Sequence, residues 1–158
     1  MGFQPGKGPR KAVLAREDWT LLVIAASDGL LPIQLQRSLY LLLQRFPDLA
    51  ATGFYEFRSV VGGDYSEQIY SDADAFARKG FVSIQFSEED GSRRYRVTRA
   101  GAERAKNLEK LVPPDLGQFL HKTVSWVRTR SIDQLLRGSM ESTGSAKPGS
   151  GRRSVWSR

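Results

Sequence analysis

The chain has 158 residues, 24 of them Lys or Arg and 17 Asp or Glu, for a formal net charge of +7 and a pI near 10.0. Its 40% hydrophobic and 26% charged content is that of an ordinary globular domain. The absence of cysteine excludes disulfides, thiolate metal sites and cysteine nucleophiles, and the single histidine, His121, excludes a histidine-rich metal cage. No cofactor and no metal are therefore expected. No apolar run approaches the ~18 residues of a membrane span, and no signal-like apolar stretch follows Met1. The expectation is a cytoplasmic protein with no membrane partner.

The excess charge sits at the ends. Residues 1–17 carry four basic residues against one acid, and so do residues 138–158, which leaves sixteen basic against fifteen acidic in 18–137. Met1–Arg10 holds three glycines and two prolines, and Gly138–Arg158 is dominated by Gly, Ser, Arg and Lys. Neither can bury enough apolar surface to offset its ordering entropy, so 1–17 and 138–158 are expected to be disordered basic tails. They read either as arms that contact nucleic acid through phosphates or as solvated linker.

Asp18 is a candidate cap for a first helix through Trp19, Leu21, Leu22, Val23, Ile24 and Ala26. That helix is apolar on most sides and so belongs at the centre of the core. Ser27-Asp28-Gly29 stops it. Pro32 opens a second helix to about Phe46, and Pro47-Asp48 ends it. Residues 53–61 read as extended, and Gly62-Gly63-Asp64 as a turn. Ser66 then caps a third helix to Lys79, with Ile69, Tyr70, Ala73, Phe76 and Ala77 inward and Gly80 as its stop.

Val82, Ile84 and Phe86 alternate with Ser83 and Gln85, and Tyr95 and Val97 with Arg94 and Arg96. With Glu88–Ser92 between them as a turn, these predict a hairpin with one apolar face. Thr98 caps a fourth helix, roughly Arg99–Leu111. Pro113-Pro114 breaks the chain before a fifth helix from Asp115 to Arg128 or Arg130, with Leu116, Phe119, Leu120, Val124 and Val127 inward. Ser131 caps a short sixth segment, Ile132–Arg137.

The run Tyr70–Val82, in which a helix ends at Gly80 and feeds a strand, followed by Arg94-Tyr95-Arg96-Val97-Thr98-Arg99-Ala100-Gly101, resembles that of bacterial winged helix-turn-helix proteins. The helix must end abruptly so the first wing strand can turn back. The second strand must hand over to a helix, hence Thr98 and the tight Ala100-Gly101 packing. Within that group the chain is similar to the YwgA-type family, on Leu39-Tyr40-Leu41-Leu42, the Gly62-to-Ser66 turn and the helices after the wing. Where that family has Gly-Pro before the serine, this chain has Gly63-Asp64-Tyr65. Its last helix reads as cut short at Gly138.

The resemblance implies an α+β fold: a mainly helical winged helix-turn-helix over 18–112, with a two-stranded wing and extra C-terminal helices over 113–137 as a homodimerisation element. It implies a transcriptional regulator binding double-stranded DNA, with helix 66–79 in the major groove and wing 81–98 on the backbone. The candidate DNA contacts are Ser66, Gln68, Ser71 and Arg78 on the third helix and Arg93, Arg94, Arg96 and Arg99 on and after the wing. Charge argues on both sides. The third helix carries Glu67, Asp72 and Asp74 against Arg78 and Lys79, a poor match to phosphate. The wing arginines either contact phosphates or pair with Glu88, Glu89 and Asp90 at the tip.

No motif with catalytic mechanics is present, so the chain is not expected to be an enzyme. Gly62-Gly63 lacks the Lys-Ser/Thr of a phosphate loop. His121 has no recognisable nucleophile partner, and Asp72 and Asp74 face different sides of a helix. The alternative to a DNA-binding regulator is a winged-helix module for a protein partner, which the near-neutral middle and acidic third helix would suit.

Overall fold

The computed structural model describes residues 14–60 and 63–136. They form an α+β fold of five principal helices and two antiparallel hairpins: α1 (Arg16–Ala25), α2 (Pro32–Arg45), β1 (Arg58–Val60), β2 (Gly63–Tyr65), α3 (Glu67–Arg78), β3 (Val82–Phe86), β4 (Arg93–Val97), α4 (Arg99–Glu109) and α5 (Pro114–Arg128). A further helical turn spans 132–136. No helix among the described residues is long and apolar enough to cross a membrane.

α1 is the hub. It packs against α2, α3, α4 and β4, and Leu21, Val23 and Ile24 are wholly buried. Its start differs from expectation. Arg16 is already helical, and Asp18 is the third helical residue rather than the cap, with its carboxylate accepting the Ala15 N–H at 3.0 Å. Leu14 is buried in the core, so the fold reaches into the expected tail. The remainder of both basic tails, residues 1–13 and 138–158, lies outside the described residues, as do Gly62 and Arg137.

Between α2 and α3 the chain makes a 3-10 turn, Pro47–Thr52, and then the hairpin β1–β2. Gly63 and Asp64, expected in a turn, are strand residues paired with Val60 and Ser59, and the Ser59 hydroxyl donates to the Asp64 carboxylate at 3.0 Å. Among the described residues of the expected extended run, 53–60, only Arg58–Val60 join the ladder, and Val61 lies outside the described residues.

The second hairpin follows the sequence alternation, with Val82 opposite Val97 and Ile84 opposite Tyr95. Val82 and Tyr95 are buried, but Phe86, beside the turn, is 63% exposed, with the Arg93 guanidinium 5.7 Å from its ring centre. Leu30 adds a single bridge on the outer edge of β4, exchanging both backbone hydrogen bonds with Tyr95 (2.9 and 2.8 Å). The loop between α1 and α2 is thereby fixed to the hairpin.

α5 does not stand apart. Leu116, Leu120 and Val124 belong to the same core as α1, while Val127 packs with Leu41 of α2 and with Leu135. Of the residues expected inward on α5, Leu116, Leu120, Val124 and Val127 are buried within the chain and Phe119 is partly buried against the same core. Ser131 caps the last turn reciprocally: its hydroxyl accepts the Gln134 N–H at 3.0 Å and the Gln134 side chain accepts the Ser131 N–H at 2.9 Å.

Candidate nucleic-acid interface

The corner joining α3, the second hairpin and α4 positions the candidate residues. α3 ends in a Schellman motif: the Phe81 N–H reaches the Phe76 carbonyl at 2.9 Å, and the Gly80 N–H the Ala77 carbonyl at 3.1 Å. Gly80 supplies the required positive φ of 87°. Phe81 meets Phe76 edge to face, completing the motif's apolar contact. The Thr98 hydroxyl accepts the Gly101 N–H at 3.0 Å as the α4 cap and donates to the Gly80 carbonyl at 2.7 Å. A Cβ on Gly101 would stand 1.9 Å from the Phe81 carbonyl oxygen, so only glycine lets α4 approach this closely. The end of α3 and the start of α4 are thus one rigid joint.

Around that joint lie Arg78, Lys79, Arg96 and Arg99, with Arg94 two residues further along β4; all five are exposed. Strand alternation puts Arg94 and Arg96 on the outer face, opposite Gln85 and Ser83, while Tyr95 points into the core. Among the described residues none of the five cations makes an ion pair. The turn acids do not neutralise them. The Ser92 N–H, donating to the Asp90 carboxylate at 2.9 Å, holds that carboxyl below its usual range. Arg94 also lays its aliphatic stem over Gly29, where a Cβ would come within 2.9 Å of its Cδ.

Arg93 belongs to a different set. It faces α3, 3.8 Å from the Asp74 carboxylate, and donates to the Tyr95 hydroxyl at 3.3 Å. Asp72 is likewise turned to internal use. Arg16 grips it with two hydrogen bonds of 3.0 and 3.1 Å, and the Tyr55 hydroxyl donates to it at 2.6 Å. Thr20 shares the Tyr55 hydroxyl at 2.7 Å. Burial, then the bond to Asp72, pushes the Tyr55 phenol far up, and the same carboxylate raises Arg16. This network ties α1, the segment before β1 and α3 together.

The third helix offers less than expected. Ser66 is 4% exposed; the Gln36 side chain holds both its N–H (3.1 Å) and its carbonyl (2.6 Å), and its hydroxyl makes no cap bond. A residue so enclosed reaches no groove, contrary to the expectation for Ser66. Gln68, Ser71 and Arg78 are exposed, with Glu67 beside them. Lys79, which the sequence suggested only as the end of the third helix, is a further cation of the corner.

His121 is about half exposed, its Nε2 3.0 Å from a Glu109 carboxylate oxygen. Among the described residues there is no group of three or more His, Asp or Glu that could hold a metal ion. Comparison of the chain with protein-family models, with curated proteins and with solved structures finds no match.

Proposed function

We propose that this chain is a winged-helix DNA-binding protein whose phosphate contacts are concentrated on the outer face of β4 and the α3–α4 corner. The observation that carries the proposal is the sorting of charge. Asp72 and Asp74 are engaged by Arg16 and Arg93, while Arg78, Lys79, Arg94, Arg96 and Arg99 stand exposed without an ion pair among the described residues. Such cations release counterions from a duplex and hold the protein on its backbone. The element order supports the reading too: a first helix, a bridging residue at Leu30, then two helices and a hairpin that pairs with that bridge. In this reading Gln68 and Ser71 face base edges, the arginines carry most of the affinity, and the basic tails add to it.

A second reading, a protein-binding module, is favoured by one feature: Phe86, 63% exposed beside the acidic turn Glu88-Glu89-Asp90. An apolar and acidic tip suits a protein surface better than phosphate.

Fluorescence anisotropy of the full chain on duplex DNA across a salt series tests the first reading. Binding should weaken steeply with salt and fall further when Arg94, Arg96 and Arg99 are all changed to alanine, while Phe86→Ser leaves it unchanged. No binding at low salt, or a triple variant indistinguishable from the parent, rejects it in favour of the module.

A further inference from the structure

On the side of the fold formed by α1, the α4–α5 connection and α5 lies a cavity of about 520 Å³, inside the roughly 300–1,000 Å³ span of small-molecule sites. Its floor is apolar: Leu22 of α1, Val112 of the connection and Leu120 of α5. Pro113 and Pro114 form a stiff lip. Gly117 forms part of the wall although it lies within α5 and carries no positive φ. A Cβ there would meet only a Val112 methyl at an ordinary 3.7 Å, so alanine would fit and would favour the helix. The joint explains Gly101; no comparable crowding explains Gly117, whose visible effect is to leave the cavity open.

The rim carries Glu109, His121 and Lys122. Glu109 is already bonded to His121. Lys122 is exposed and has no ion pair among the described residues, so the uncommitted charge at the mouth is positive. We propose that this cavity binds a small molecule with a compact apolar body and one carboxylate or similar anionic group, the body on Leu22, Val112 and Leu120 and the anion at Lys122. The site stands independently of the DNA-binding reading.

His121 is the chain's only histidine, so its imidazole proton resonances report on the rim alone. The full chain is titrated with naphthalene carboxylate and, separately, with naphthylmethylammonium, a cationic twin of similar apolar body. The carboxylate should shift the His121 resonances saturably and the ammonium should not. Lys122→Glu should weaken the carboxylate by about tenfold or more, and Gly117→Leu should remove the response by filling the cavity. Lys122 is exposed, so its replacement leaves the core intact should Gly117→Leu fail to fold. No saturable shift, an ammonium that binds as well as the carboxylate, or an unchanged affinity in Lys122→Glu overturns the proposal.

Discussion

α3 and β4 meet through the contact between Asp74 and Arg93 and use their charges in opposite ways. On α3, Asp72 is largely buried and bound by three hydrogen bonds from Arg16 and Tyr55, and Asp74 faces Arg93. On β4, Arg93 turns to that helix while Arg94 and Arg96 turn to solvent. A strand's two-residue period splits one run of arginines into a structural member and two outward ones. A residue's neighbours in space, more than its type, decide whether it shapes the fold or meets a partner.

The joint that sets these two elements in place should be the most sensitive point. Gly101→Ala would drive a methyl into the Phe81 carbonyl. Urea denaturation should record a loss of about 3 kcal/mol or more, at the upper end of overpacking costs. Gly117→Ala, in the same kind of helix but with room for the methyl, should instead gain about 0.5–1 kcal/mol.

Asp72→Ala strips Arg16 and Tyr55 of their shared acceptor. It should cost about 2–3 kcal/mol, below the fully buried limit because Arg16 is one-third exposed. Asp74→Ala, between half-exposed partners at 3.8 Å, should cost less than about 0.5 kcal/mol by the same measurement. Equal effects would erase the distinction between the two acids.

The tyrosines give the comparison a pH dependence. Burial pushes Tyr40 up to about 12 and raises Tyr55, Tyr70 and Tyr95 as well. Their folded pKa values lie above the unfolded value of 10.0, so the unfolded chain loses protons first. Their stabilisation is complete below that value and is lost as pH rises through the folded values. Arg37, lowered by burial to about 10, runs in the opposite sense from pH 10 upward and offsets only part of this. The tyrosinate absorbance of these four, the greater part of the total, should therefore rise together with loss of helical circular dichroism above pH ~10. Most of the absorbance rising first, with the helices intact, would contradict the buried settings.

Local chemistry was legible in the sequence and long-range chemistry was not. Gly80, Thr98 and the Val82–Val97 alternation announce the second hairpin because its turn, caps and apolar face are all close in sequence. The helices follow for the same reason. The hairpin β1–β2 was hidden because its strands are three residues long and Gly63-Asp64 has the composition of a turn. The Leu30 bridge has no periodicity to read. Ser66 looked like an exposed cap because Gln36, thirty positions earlier, encloses it. Asp72 read only as one of the acids of the third helix because its partner Arg16 lies 56 positions away. The arginines of the second hairpin stand out in the sequence, but their division into Arg93 on one side and Arg94 and Arg96 on the other needed the packing of α3 against the hairpin.

That division is tested most directly by the salt dependence of duplex binding for two variants of the full chain, Arg94→Ala/Arg96→Ala and Arg93→Ala. Each phosphate contact contributes about 0.9 to the slope of log K against log salt. The double variant should lower the slope by about 1.8, whereas Arg93→Ala should leave it unchanged and lower only the stability of the fold. A slope untouched by the double variant, or reduced by Arg93→Ala, would place the phosphate contacts elsewhere.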